Sequence, residues 1–309
     1  MGKAHSPRHG SMQFWPRSRA KRPYARVTSW AKPKDSKILG FAGYKAGMTS
    51  VQFIDTRKNS PTKNDTLSVP CTIIECPPLK IFSLRFYKFN KVVSEVINSK
   101  LDKEVIRKIS VPKKTMNLPS NIQDFSEIRI NVYTQPKLTS IGKKKPEIFE
   151  LRLNGKVEEQ FELAKSFLDK EIKIEDVFKP GQLIDVHSVT SGKGYQGPVK
   201  RFGIRLKHHK SEKGQRRPGV LSAWGRPLQL MYRAAYASKM GFHMRTDYNK
   251  YLFKISNDEL KPIDNYGIVK NTYALIKGSV PGPKNRLITL TNAVRPNKKL
   301  QMAIPELKS

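Results

Sequence analysis

The order of apolar and polar positions predicts a β body that begins well inside the chain. Two apolar runs flank Lys45-Ala46-Gly47 over residues 38–54, and a glycine turn between two such runs predicts a hairpin. A third strand is predicted over residues 67–75, where apolar side chains alternate with polar ones and Pro70 marks an edge or a bulge.

Strand patterns return towards the C-terminal side. Residues 183–189 read as a strand, and apolar runs at residues 268–276 and 287–290 flank Pro281-Gly282-Pro283, which predicts another hairpin. Because these strands lie on both sides of two long interruptions, the pattern predicts one β body that is interrupted twice.

The first interruption, residues 80–179, mixes two periodicities. Strands are predicted near residues 81–87 and 127–133, and helices around residues 94–109 and after Asn154-Gly155, where apolar residues recur at helical spacing. We therefore expect an inserted α/β subdomain.

The N-terminal segment and the second interruption lack this periodicity. Prolines within residues 1–36 block long helices, which predicts an extended arm. Residues 191–250 are predicted to contain only one short helix, ended by Gly241. The apolar face of that helix would consist of Leu228, Met231, Tyr232 and Ala235.

Charge is concentrated in the two segments that lack a core. The 309 residues include 59 Lys and Arg against 25 Asp and Glu, a net charge of +34, of which residues 1–36 contribute +8 and residues 191–250 contribute +12. Such a chain would repel itself when free. The composition therefore predicts a polyanionic partner, with nucleic acid as the first candidate and an anionic membrane surface as the second.

The apolar pattern disfavours the membrane. No apolar run approaches the ~18 residues of a spanning helix, and the basic segments lack the apolar stripe of an interfacial helix. Gly2 and Ser6 match the short myristoylation pattern, which a basic arm explains as well, and no secretory h-region follows. Cys71 and Cys76 are expected to be reduced core thiols of a cytosolic protein.

Motifs for catalysis are weak. Residues 192–197, GKGYQG, match the dinucleotide fingerprint, and Glu212 lies twenty residues past Gly192, but we expect Pro198 and a polybasic loop where the fingerprint requires a helix. The six histidines have no metal-ligand spacing, and His187 is expected to be an ordinary strand residue. The sequence predicts no enzyme, no cofactor, no metal site and no small-molecule substrate.

Basic and aromatic residues interleave in both extensions, which is typical of RNA binding. Cations would contact phosphates, while Tyr195, Phe202 and Trp224 would offer flat faces to bases. His208 and His209 could stack on bases or donate to phosphate. The predicted RNA-binding residues are Lys3, His5, Arg8, Arg17, Arg19, Lys21, Arg22, Lys193, Lys200, Arg201, Arg205, Lys207, His208, His209, Lys210, Lys213, Arg216, Arg217, Arg226 and Arg245.

Several of these segments together resemble the universal ribosomal protein L3 family of the large subunit, in its archaeal and eukaryotic branch. They occur in family order over nearly the whole chain, and residues 80–179 match least. The matching segments are 2–10 (GKAHSPRHG), 43–49 (GYKAGMT), 185–197 (DVHSVTSGKGYQG), 200–203 (KRFG), 219–224 (GVLSAW), 241–246 (GFHMRT) and 266–271 (YGIVKN).

The resemblance implies a small β barrel like that of translation factors, with the arm and the central loop running into large-subunit rRNA. It implies that Trp224 is the loop tip near the peptidyl transferase centre, where catalysis belongs to the RNA. Glu212 occupies the place of a histidine that eukaryotic members can carry modified, so that modification is not expected. An archaeal-type member would work in the cytoplasm, within the large ribosomal subunit, beside neighbouring ribosomal proteins and with a role in assembly.

With the resemblance, the predicted fold class is mainly β with an α+β insertion, an extended N-terminal arm and a long basic central loop. The segments are a basic N-terminal extension (1–36), the first part of the barrel (37–79), the inserted subdomain (80–179), a barrel strand (180–190), the basic central extension with its tip near 224 (191–250), and the rest of the barrel with the C-terminal segment (251–309).

Two other functions remain open from the residues. A general nucleic-acid-compacting protein would bind duplex DNA and rRNA alike, without a saturable site. A nucleotide-dependent RNA-modifying enzyme that used Gly192–Gly197 would be stabilised by a nucleotide cofactor.

Overall fold

Strands dominate the computed structural model of this chain, which describes residues 10–33, 35–55, 60–112, 118–119, 121–122, 124–219 and 234–297. The chain divides into an arm unit, residues 1–23 and 189–244, and a body unit, residues 24–188 and 245–309. The mainly β class is confirmed.

The strands are β1 (Gly40–Ile54), β2 (Thr66–Glu75), β3 (Lys80–Lys88), β4 (Lys91–Ile97), β5 (Glu127–Tyr133), β6 (Ile148–Arg152), β7 (Leu183–Val189), β8 (Gly192–Gln196), β9 (Ser238–Gly241), β10 (Met244–Ser256), β11 (Tyr273–Lys277) and β12 (Leu287–Asn292). The helices are α1 (Val157–Phe167) and α2 (Pro198–Phe202), with 3₁₀ turns at Met12–Phe14, Lys103–Arg107, Pro136–Leu138 and Ile174–Asp176.

Six strands of the body unit close into an antiparallel barrel in the order β1-β12-β7-β10-β11-β2. Closure leaves these strands no open edge, and the apolar side chains that face the interior form the buried core. Phe53 and Phe253 meet inside with ring centroids 5.3 Å apart, and Tyr251 lies edge-on to Phe253. Cys71 and Cys76 are buried free thiols, and burial raises the pKa of Cys71 to about 11, so the predicted core thiols are confirmed.

The predicted hairpin at residues 38–54 is wrong, because β1 is one long strand. A register shift between Lys45 and Gly47 marks a bulge, and the strand continues through it. Residues 40–44 pair with β12, and residues 44–54 pair with β2. Gly43 is required on this strand, since a Cβ there would lie 2.6 Å from the carbonyl oxygen of Glu75.

The second predicted hairpin is also wrong. β11 pairs with β10 and β2, whereas β12 pairs with β1 and β7, so the Pro281-Gly282-Pro283 segment links two strands that are not neighbours. In a closed barrel, strands that are consecutive in the sequence need not be neighbours, because the arrangement of the whole barrel determines which strands pair.

The insertion is a four-stranded antiparallel sheet in the order β4-β3-β5-β6. The predicted helix after Asn154-Gly155 is confirmed as α1, which buries Phe161 and Ala164, and Glu159 accepts a hydrogen bond from the backbone N–H of Lys156 at its start (3.2 Å). Phe161 packs on Phe86 of the sheet, with centroids 6.3 Å apart.

The predicted helix at residues 94–109 is wrong. That stretch contains the end of β4 and a 3₁₀ turn at Lys103–Arg107. The β-branched residues of β4 favour a strand once β3 offers a partner, and this pairing outweighs the short helical spacing that suggested a helix.

The described part of the arm unit contains less regular structure than the body unit. β8 pairs antiparallel with β9, and α2 follows β8 directly, with Pro198 as its first residue and Gly203 ending it at φ 63°. Gly241 lies in β9, so it does not end a helix as predicted; Leu228, Met231 and Tyr232 lie outside the described residues.

Candidate nucleic-acid interface

Positive charge dominates the arm unit. Its sequence carries 18 Lys and Arg and a single acidic residue, Glu212. Such cations cannot be neutralised from within the unit, so an external anion has to supply the counter-charge.

The structure exposes most of the predicted RNA-binding residues of this unit. Arg17 and Arg201 are half-buried instead, and Arg245 lies half-buried in the body unit, where burial lowers its pKa. Lys3, His5, Arg8, Trp224 and Arg226 lie outside the described residues. The exposed residues are Arg19, Lys21, Arg22, Lys193, Lys200, Arg205, Lys207, His208, His209, Lys210, Lys213, Arg216 and Arg217.

Arg17 is placed by aromatic rings. Its guanidinium carbon lies 4.9 Å from the ring centroid of Trp15 and 4.7 Å from that of Phe202, and the two rings are nearly parallel at 6.3 Å. Cation–π packing of this kind stabilises a side chain that water would otherwise solvate. Arg17 therefore helps to hold residues 15–17 on α2.

Phe202 is consequently not a free face for a base. It is 5% exposed, and Arg201 lies over its ring at 5.0 Å while donating to the carbonyl oxygen of Tyr236 (3.0 Å). Burial lowers the pKa of Arg201. The interpretation of Phe202 as a stacking face is wrong because its ring already packs against Trp15, Arg17 and Arg201.

Tyr195 keeps its predicted availability. Its side chain is 72% exposed, and its backbone pairs with Lys239 across the β8–β9 ladder. Lys239 and Tyr236 are also exposed, and the sequence pattern did not single out either of them. Lys239 lies beside Tyr195 because of the pairing register of β8 and β9, and the periodicity of a single sequence does not contain that register.

Two backbone contacts fix residues 18–20 of the arm. Ala20 donates its N–H to the carbonyl oxygen of Phe242 (2.8 Å), and His243 Nδ1 lies 2.8 Å from the carbonyl oxygen of Ser18. Because that carbonyl can only accept, Nδ1 carries the proton. Arg19 lies over the ring of Phe242 at 5.2 Å, so its neighbours aim it before any ligand is present.

The neighbouring turn requires glycine. Gly241 has φ 73°, and a Cβ there would lie 2.0 Å from the carbonyl oxygen of Ser191. The chain therefore comes back against residue 191 only because position 241 has no side chain.

Residues 207–215 form a closed turn rather than an open chain. Lys207 N–H donates to the carbonyl oxygen of Gln215 (3.1 Å), and the Gln215 side-chain amide donates to the carbonyl oxygen of His209 (2.9 Å). The rings of His208 and His209 lie 4.1 Å apart. The turn presents Lys210 and Lys213 outward, as a phosphate contact requires.

The dinucleotide fingerprint at Gly192–Gly197 has a different context from the one expected. The expectation that no helix follows is wrong, because Gly197 precedes α2. However, α2 has five residues, and β8 pairs antiparallel with β9 instead of joining a parallel βαβ unit, which the fingerprint requires.

His187 is an ordinary strand residue, as predicted. It is 7% exposed in β7, and its two ring nitrogens lie 2.9 Å from Thr246 Oγ1 and 3.1 Å from Thr291 Oγ1. Among the described residues no cluster of His, Cys, Asp and Glu could hold a metal ion, and no helix is long and apolar enough to cross a membrane.

Comparison with known proteins places the whole chain. The family model described as Ribosomal protein L3 matches residues 1–111 and 97–308. The curated relatives include proteins named large ribosomal subunit protein uL3 from Methanosphaera stadtmanae, 45% identical over 99% of this chain and 97% of the relative, and from Archaeoglobus fulgidus, 44% identical over 96% and 94%. The one from Methanothermobacter thermautotrophicus is 41% identical over 96% of this chain and 94% of its own.

Proposed function

Because this chain belongs to the ribosomal protein L3 family, we propose that it is a structural constituent of the large ribosomal subunit that binds large-subunit rRNA and supports assembly. Its arm unit supplies the main contacts to rRNA. The chain acts by binding and positioning RNA, and it is not an enzyme.

One observation carries the proposal: 18 cations accompany a single acid in a unit whose backbone is held by hydrogen bonds at residues 18–20 and 207–215. Phosphate contacts position a protein on RNA and aromatic faces read unpaired bases. Arg19 on Phe242 and Lys210 on its closed turn are the kind of presented cation that this binding uses.

Binding to rRNA should be driven by the release of counterions. Neutralised phosphates release counterions, and that release offsets the entropy that ordering costs. If about ten phosphates are neutralised, the log–log salt slope should be on the order of −7 to −9.

The proposal includes all of the predicted site residues and segment boundaries. We propose that residues 1–36 and 191–250 are the rRNA-penetrating extensions, and that the loop tip at Trp224 helps to shape RNA near the peptidyl transferase centre. We also propose that the barrel is of the translation-factor kind, which its six antiparallel strands support.

The deciding experiment measures binding of the purified chain to large-subunit rRNA across a salt series, with small-subunit rRNA and duplex DNA as competitors. We expect saturable one-to-one binding that the competitors do not displace. Displacement by both competitors as readily as by unlabelled large-subunit rRNA would instead favour a general compacting protein.

The role of the tip has a separate test. Trp224→Ala should leave the barrel folded and should weaken the docking of the tip, measured as slower subunit assembly and altered accommodation of aminoacyl-tRNA in the A site. Assembly and accommodation that both match the unaltered chain would refute the role of Trp224.

A further inference from the structure

One face of the insertion sheet is neutral and internally paired, unlike the arm unit. Three guanidinium groups and three carboxylates lie across its four strands, and all are partly exposed except Glu127, which is buried. The pairs, with their N–O distances, are Arg85–Glu95 (3.0 Å), Arg85–Glu150 (3.3 Å), Arg129–Glu127 (2.8 Å), Arg129–Glu150 (2.8 Å) and Arg152–Glu127 (2.6 Å).

This face is poorly suited to RNA. Its guanidinium groups already hold carboxylates, and a phosphate backbone laid on it would approach three further negative charges. Glu127 lies at the end of the sheet that carries the β3–β4 hairpin, because Tyr87 pairs with Glu127 on one side and with Val92 on the other.

The hairpin tip, residues 88–93, ends this face with apolar side chains. Phe89 is 84% exposed, and Val92 and Val93 are 45% and 60% exposed. Val93 is turned outward by a bulge, since Ser94 pairs with Phe86 and Val92 with Tyr87, which leaves Val93 as the extra residue.

The backbone of the tip is strained where the aromatic ring sits. Phe89 has φ 49° and Asn90 has φ 60°, the left-handed pair of a two-residue hairpin turn. Asparagine and glycine adopt this conformation readily, whereas a bulky residue there is an outlier. The turn thus holds a costly residue whose ring is almost entirely in solvent, so no packing within the described chain explains it.

We propose that the hairpin tip is a docking knob for a neighbouring protein of the large subunit, one that presents an apolar pocket rimmed by carboxylates. Phe89 fills the pocket, Val92 and Val93 cover its edge, and Lys91 faces the acidic rim together with Lys88, whose ammonium also lies 3.9 Å from the carboxylate of Asp124. The inference rests on the proposed function, because it takes its partner from the same particle.

Charge and strand geometry select this partner. Aromatic side chains in apolar pockets are the usual anchors of protein interfaces, with charged residues at the rim. The bulge at Val93 and the lysine at the start of β4 disfavour strand addition along the edge of the sheet. The partner is therefore held by side chains, with Lys88 and Lys91 supplying the complement to its carboxylates.

The test places a photo-crosslinking phenylalanine at position 89 of the full chain, in archaeal large subunits where this chain replaces the resident copy. We expect an RNase-resistant cross-link to one large-subunit protein, mapped by mass spectrometry to an apolar segment flanked by Asp or Glu. The matched control carries the same probe at Ile106, which is 65% exposed in the same insertion.

A cross-link from position 89 to rRNA overturns the proposal, as does a yield no higher than that of the Ile106 control. Absence of the chain from isolated subunits would instead overturn the proposed function, and the docking knob with it. Subunits that contain the chain and give no protein cross-link overturn the knob alone.

A second variant separates docking from folding. Phe89→Gly removes the ring and relieves the backbone, so the thermal midpoint of the free chain should not fall, and its affinity for rRNA should not change. The cross-linking partner should be less abundant in high-salt-washed subunits that carry this variant. Full retention of that partner would show that Phe89 anchors nothing.

Discussion

Arginines on the insertion sheet of the body unit pair with carboxylates, whereas charges in the arm unit accumulate with one sign. On the insertion sheet each of Arg85, Arg129 and Arg152 contacts a carboxylate of a neighbouring strand. In the arm unit Glu212 is the single acid beside 18 cations. The insertion sheet thus relieves the repulsion of like charges by pairing within the chain, whereas the arm unit requires a counter-charge from outside it.

Apolar packing differs in the same direction. The barrel buries whole aromatic side chains such as Phe41, Phe53 and Phe253, while the described part of the arm unit is held by guanidinium–aromatic contacts and backbone hydrogen bonds. The body should fold from its own burial, and the arm unit should be shaped locally but completed by an anion.

The largest expected effect comes from removing cations of the arm unit that no packing uses. A variant in which four such lysines are replaced by glutamine should bind large-subunit rRNA more weakly. The slope of its log–log salt plot should be shallower by about 3 units, because each phosphate contact contributes roughly 0.7–0.9. Its thermal midpoint should stay the same. The changes are Lys200→Gln, Lys207→Gln, Lys210→Gln and Lys213→Gln.

A matched control removes four exposed lysines of the insertion. If the salt slope becomes shallower by the same amount in the two variants, the arm unit is not the main rRNA interface, and the two units do not differ in their contribution to binding. The control changes are Lys103→Gln, Lys170→Gln, Lys173→Gln and Lys179→Gln.

The next effect concerns the barrel. Phe253→Ala opens a cavity against Phe53 and Tyr251 and should lower the free energy of unfolding by about 3–5 kcal/mol, measured by denaturant titration. The exposed Tyr195→Ala should change it by less than about 0.5 kcal/mol. Comparable losses in the two variants would mean that the units share one stability.

A smaller loss is expected at a buried carboxylate of the barrel. Glu75 accepts hydrogen bonds from the Tyr266 hydroxyl, from the backbone N–H groups of Lys270 and Asn271, and from the Asn271 side chain. Glu75→Ala leaves these donors without an acceptor and should cost about 2–3 kcal/mol of unfolding free energy. Tyr266→Phe keeps the carboxylate and should cost about 1 kcal/mol, and an equal loss in both variants would contradict this account.

The smallest effect depends on pH. Burial lowers the pKa of His187, partly offset by Asp185, so the unfolded chain takes up a proton at higher pH than the folded chain. Stability from this residue is therefore complete above about pH 6.5 and falls as the pH drops below it. Chemical denaturation between pH 7 and 5 should give a flatter profile for His187→Gln, while the exposed His208→Gln should keep the slope of the unaltered chain.

Local sequence predicted most strands and the helix α1, because alternation and helical spacing are recorded in neighbouring residues. It failed where partners come from far away. The bulge at Lys45 and Gly47 and the separation of β11 from β12 are decided by ring closure, which no short window of sequence contains.

The candidate site shows the same limit. Composition identified the cations of the arm unit, and the structure exposes most of those that it describes. It could not separate a guanidinium that waits for phosphate from one that packs on rings, as Arg17 and Arg201 do, and it took Phe202 for a ligand-facing residue. Lys239 was missed because its place beside Tyr195 follows from strand register.

The place of β12 in the barrel constrains the order in which the molecule can form during synthesis. Gly40 near the start of the body pairs with Thr291, so β1 and β7 gain their shared neighbour only after nearly the whole chain has been made. Until then the nascent barrel has two unpaired edges while the basic segment has already been translated. Folding of the body therefore depends on contacts of very high sequence separation, which makes it intrinsically slow, and a chain truncated before residue 287 would retain both open edges.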